Sequence, residues 1–200
     1  MVNQRIAELL SKTKDPERVF SATDLYNEGW MLRLVIDWFS RNPQADCDIR
    51  FLEDSRWYSE ALLPSQFLAR QRGDKLAESW THADGVIGHF DIGIDADGDL
   101  SLYEGATQLV VTEAKMFSKL SSGVTNAKYF NQAARNVACI AEIANRAGIE
   151  PKSFEDIAFY VVAPKVRIDE GIFATKMTKD NVREIVHKRV SEYEDKSKLQ

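Results

Sequence analysis

The stretch from Thr107 to Lys115 constrains the chain more than any other. Leu109, Val110 and Val111 form an apolar run, mostly β-branched, and such residues pack well on a pleated surface; the run predicts a buried strand. It ends in Glu113-Ala114-Lys115. Side chains two apart on a strand share a face, so a carboxylate and an ammonium project together from the end of a buried element. Carboxylate oxygens are hard ligands for a divalent cation. The ammonium can steady developing negative charge or help to activate a water. Taken alone, the triplet has a commoner explanation, a plain ion pair at a strand end.

A second carboxylate is expected from the segment upstream. Asp84 to Ile94 is apolar and glycine-punctuated, Asp95-Ala96-Asp97-Gly98-Asp99 is a turn signal, and Leu100 to Tyr103 alternates. One antiparallel hairpin is the simplest structure. In a hairpin, opposed residues lie symmetrically about the turn. The midpoint of Asp84 and Glu113 falls within Asp97-Gly98-Asp99, whereas that of Asp91 and Glu113 falls inside Leu100–Tyr103. Asp84 is therefore the better second carboxylate and Asp91 the next. A bulge near Glu104-Gly105 would shift this pairing slightly, and a true turn at Glu104–Thr107 would break it.

An aspartate at a strand start, a strand ending Glu-x-Lys and a helix after it resemble the PD-(D/E)XK nuclease superfamily, with its restriction-endonuclease-like fold. The matching residues are Asp84, Glu113 and Lys115; Ala83 stands where the nominal proline would be. The resemblance covers about Asp24 to Pro164, in the order helix, three strands, helix, strand. It implies an α/β core, a central mixed sheet flanked by helices. It also implies Mg2+ or Mn2+ held by Asp84 and Glu113. In that family the first core helix often adds a carboxylate, which here is Glu28, and in several branches a glutamine on the later helix touches the site, which here is Gln132. The implied activity is hydrolysis of phosphodiester bonds in DNA, with RNA the lesser alternative.

Along the chain, Met1–Lys14 is a short amphipathic helix candidate, broken at Asp15-Pro16. Thr23-Asp24 can cap a helix to Arg41 with a wide apolar face. Glu28, in its first turns, also suits the helix dipole without any other role. Cys47–Leu52 alternates and predicts the first strand. Glu60 either lines a cleft or caps a short helix. His82, two before Asp84, shares its face in a strand and could take a proton or a metal, though a packing or surface role is commoner; His89 and His187 have no evident partner. Met116–Val124 suits a loop at a cleft rim. Thr125-Asn126 can cap a long helix from Ala127 to Arg146, stopped at Gly148. On it, Lys128 and Arg135 could reach phosphates. Phe154–Pro164 predicts a second buried strand, parallel after a crossover to the strand that ends in Glu113-Ala114-Lys115. Thr178–Tyr193 predicts an amphipathic helix.

The 200 residues fit one domain, with a core over about 24–164 and a helical extension over about 165–200. A net charge of −5 offers no general attraction to phosphate, which favours the alternative, a catalytically inactive scaffold of the same fold that binds a protein or nucleic-acid partner. Cys47 and Cys139 imply neither a disulfide framework nor a zinc site, and a reducing, cytoplasmic setting is expected. No run is long enough to span a membrane, and no glycine-rich phosphate loop follows a strand. A homodimer is compatible with the sequence but not indicated by it.

Overall fold

A computed structural model of the chain describes residues 27–69, 71–93 and 99–197, together with Gln4 and Ser11. Apart from Gln4 and Ser11, the expected Met1–Lys14 helix lies outside the described residues, as do the Thr23-Asp24 cap and all of the Asp95–Asp99 turn but Asp99. The first described helix, α1, spans Glu28–Arg41. The Asn27 side chain caps it by accepting the Trp30 amide at 2.9 Å. Strands β1 (Arg56–Leu63), β2 (Thr81–Gly88), β3 (Phe90–Ile92), β4 (Leu100–Leu102) and β5 (Gln108–Ala114) follow, then helix α2 (Gln132–Arg146) and strand β6 (Asp156–Val162). Two short helices, α3 (Lys165–Asp169) and α4 (Ala174–Met177), lead to α5 (Lys179–Ser197).

The main sheet has the order β1-β2-β5-β6. Its first two junctions are antiparallel and the last is parallel, so this is an α/β fold with a mixed four-stranded sheet flanked by helices. Every residue of β5 is buried, as its apolar run requires of a strand covered on both faces. Alternation divides it: Leu109 and Val111 meet Cys139, Ile140 and Ile143 of α2, whereas Val110 and Ala114 meet Leu32 and Ile36 of α1. Helix α1 approaches closely because β2 carries Gly85, where a Cβ would lie 2.7 Å from Ile36 Cδ1 and 2.6 Å from Thr112 Oγ1.

The connection between β2 and β5 departs from the single expected hairpin. Pairing runs from Gly85↔Thr112 to Gly88↔Leu109, a register in which Asp84 would oppose Glu113. Beyond Gly88 the arms leave the sheet, and β3 and β4 form a two-stranded sheet of their own, with Phe90 opposite Leu102. A true turn at Tyr103–Ala106 absorbs the offset, closed by the Ala106 amide on the Tyr103 carbonyl at 3.2 Å. His89 holds the branch point. Its Nε2 meets the Glu53 carbonyl at 2.8 Å and must donate there, leaving Nδ1 to accept the Thr107 and Gln108 amides at 3.1 and 3.2 Å. The register therefore survives the turn, because a buried side chain pins both sides of the break.

Other expectations are corrected in place. Cys47–Leu52 is not a strand. It is an irregular segment held in part by one side chain: Gln108 Nε2 donates to the Arg50 carbonyl at 2.9 Å, and Gln108 Oε1 accepts the Leu52 amide at 3.2 Å. The first strand is Arg56–Leu63 instead. Helix α2 begins at Gln132, not Ala127, because Asn131 rather than Asn126 caps it, accepting the Ala134 amide at 3.0 Å. As expected, β6 lies parallel to β5. Helix α5 packs into an aromatic cluster with Phe67, Phe130 and Tyr193. Within it Arg189 is fully buried and bonds Glu78, with 2.7 Å between Nη2 and Oε1. Cys47 and Cys139 are both free. Among the described residues, no helix is long and apolar enough to cross a membrane.

Candidate functional site

The β1–β2 ladder pairs Ser59 with Gly85 and Ala61 with Ala83, skipping the position between. The β2–β5 ladder ends at Gly85↔Thr112. Both interruptions fall on Asp84, which lies in the middle of β2 rather than at its start. Its Oδ2 accepts the Ala114 amide at 2.8 Å. A side chain thus satisfies a backbone donor that a partner strand would otherwise take, and the strands part there with their polar groups paired.

Glu113 and Lys115 leave β5 at this opening, and the strand end is fixed by the Lys115 amide on the Val162 carbonyl of β6 at 2.9 Å. Lys115 Nζ donates to Glu113 Oε1 at 2.7 Å, and Gln132 Nε2 donates to the same oxygen. Gln132 Oε1 accepts the Ser121 amide at 3.1 Å, so the start of α2 holds both the carboxylate and the loop after β5. Only 3% of Glu113 and 7% of Lys115 is exposed, which makes this a buried pair and not a surface one. Glu113 Oε2 has no hydrogen-bond partner among the described residues. Burial pushes the Glu113 carboxyl up to about 7, the Asp84 charge pushes the same way, and Lys115 only partly opposes them.

Glu28 sits at the rim. Its Oε1 accepts the Met116 amide at 2.8 Å and the Ser118 hydroxyl at 2.9 Å, with the Phe117 and Ser118 amides at 3.4 and 3.5 Å. Partial burial raises its pKa, but the Ser118, Phe117 and Met116 donors and Lys115 outweigh it, and the net shift is downward. Glu28 therefore shapes the loop that leaves Lys115. Phe117, its backbone held on one side by Glu28 and on the other by Arg167 Nη2 at 2.9 Å, stays 80% exposed.

The remaining candidates lie elsewhere. Asp91 pairs with Arg56 at 2.9 Å across the β3 region. His82 and Lys128 are exposed. Arg135 is half-buried and acts on Glu78, in the Arg189 cluster. One residue escaped the sequence reading in its actual role. Glu60 occupies the skipped β1 position opposite Asp84 with φ of 62°, and its carboxylate lies 3.5 Å from Arg33. A left-handed glutamate costs on the order of 1–3 kcal/mol and marks a kink that its neighbours enforce; no glycine or asparagine signals it.

Among the described residues, no three His, Cys, Asp or Glu side chains converge as a ready cation cage. Asp84 and Glu113 do converge, and the unpartnered Glu113 Oε2 is an atom that a cation would satisfy. Two carboxylates fit Mg2+ or Mn2+, which take their other ligands from water and substrate oxygens. Comparison of the chain with protein-family models, curated proteins and solved structures yields no match.

Proposed function

We propose that the protein is a metal-dependent nuclease with a restriction-endonuclease-like core, of the PD-(D/E)XK type, acting on phosphodiester bonds in DNA. One observation carries this reading: Asp84, Glu113 and Lys115 meet where β2 and β5 part, with Glu113 buried and one of its oxygens unpartnered. The order of the main-sheet elements, α1, β1, β2, β5, α2, β6, supports it.

Asp84 and Glu113 would hold Mg2+ or Mn2+, which when bound supplies an activated water and charge neutralisation at the scissile phosphate. Lys115 Nζ lies beside that position, bonded to Glu113, where it would stabilise an oxyanion or orient the attacking water. Gln132 fixes the rotamer of Glu113 from α2. Glu28 fixes the backbone that follows Lys115. The buried setting strengthens the interactions among these groups relative to water.

The test is cleavage of plasmid and single-stranded DNA with Mn2+ or Mg2+ by the wild type, Glu113→Ala and Lys115→Ala, with Mn2+ binding followed by calorimetry. Metal-dependent cleavage lost in both variants is the expected result. A wild type that neither cleaves nor binds Mn2+ overturns the reading in favour of the partner-binding scaffold.

A further inference from the structure

A groove of about 590 Å³ runs between α2, β6, α4 and α5, away from every residue of the candidate site. Val137, Phe159, Met177, Val182, Val186 and Val190 form its apolar floor. The charged and titratable residues lining it are Lys179, Arg183 and His187, with no carboxylate among them. All three are exposed, and none has a hydrogen bond or ion pair with a described residue. Asp180 and Glu184, on the same helix, lie outside the lining. A chain of net charge −5 thus sets a basic edge along an apolar trough, with the carboxylates Asp180 and Glu184 beside Arg183 and His187 but outside the groove.

The spacing of the three selects the occupant. Positions four apart on a helix lie on one face, and Lys179 to His187 covers about 12 Å at 1.5 Å per residue. A fatty acid satisfies the trough but offers one carboxylate at one end. A nucleic-acid backbone offers repeated anions but has no side chains to bury against valines. An amphipathic helix with an apolar stripe and acidic residues four apart matches both, by the helix-in-groove mode. We propose that this groove docks an acidic amphipathic helix of a partner protein, its apolar stripe on Val182, Val186 and Phe159 and its carboxylates on Lys179, Arg183 and His187.

The test is selection from a displayed library of helical peptides on the full-length chain, with counter-selection on the K179E/R183E double variant. Both substitutions are at exposed positions, and an unchanged melting temperature of the variant establishes its fold. The expected peptides carry paired apolar residues and glutamates or aspartates four apart. A synthetic member should bind at least tenfold more weakly to the double variant, and more weakly as salt rises. Winners without acidic periodicity, or bound equally by the variant, overturn the proposal. So does a groove that takes sodium oleate or duplex DNA while no peptide is enriched.

Discussion

Asp84 Oδ2 accepts the Ala114 amide at 2.8 Å, one residue beyond the last β2–β5 pair. The carboxylate is a wedge between strands as well as a candidate ligand, and the two roles separate by substitution. Asp84→Asn keeps an acceptor for Ala114 and should change the urea midpoint little, while abolishing Mn2+ binding by calorimetry. Asp84→Ala leaves the amide unpaired and should cost a further 1–3 kcal/mol or about that. Equal stability of the two variants would refute the wedge.

Glu113 carries a pH dependence of definite sign. Its carboxyl is raised from 4.5 to about 7 in the folded chain. The folded state thus binds the proton more tightly than the unfolded state. The associated stability is fully present below about pH 4.5 and is lost as pH rises through about 7. The loss is on the order of 3 kcal/mol. Urea denaturation between pH 4.5 and 8 should show this decline in the wild type and not in Glu113→Gln. Above pH 7, saturating Mn2+ should restore stability to the wild type alone.

Glu28 is expected to act through the loop. Glu28→Gln keeps Oε1 as an acceptor for Met116 and Ser118, and cleavage should fall less than about tenfold, or about 1.4 kcal/mol. Glu28→Ala frees the Met116–Ser118 backbone, and hydrogen exchange at those amides should rise. Complete loss of activity in Glu28→Gln, with exchange unchanged, would instead make Glu28 a ligand.

His89→Ala removes the acceptor of two amides and the donor to Glu53. With each net hydrogen bond worth about 1 kcal/mol, a loss of roughly 2–4 kcal/mol is expected. Exchange at Thr107 and Gln108 should show it before any change in the β5–β6 amides.

Much of this was legible because strand pairing is arithmetic. The apolar run placed β5, and symmetry about Gly98 chose Asp84 over Asp91; the β2–β5 register agrees with that choice. The same arithmetic failed for the hairpin arms, since it counts neither the local turn at Tyr103–Ala106 nor a histidine clamp that reaches the distant Glu53 carbonyl. Cys47–Leu52 alternates like a strand, yet the Arg50 carbonyl and the Leu52 amide go to the Gln108 side chain and not to a partner strand. Periodicity records which residues are buried, not what their amides bond. The start of α2 was misplaced because Asn126 and Asn131 are both competent caps. The kink at Glu60 had no signal at all.

Arg189 and Glu78 are 111 residues apart in the chain, and Tyr193 reaches the Leu68 carbonyl at 3.1 Å. The Glu78 carboxylate and the Leu68 carbonyl are therefore synthesised well before the α5 residues that bury against them. At 5–20 residues per second, roughly the pace of translation, that is a wait of several seconds with an acidic side chain and backbone carbonyls uncovered. Until Arg189 is in place, Glu78 lacks the counter-charge it meets in the folded chain.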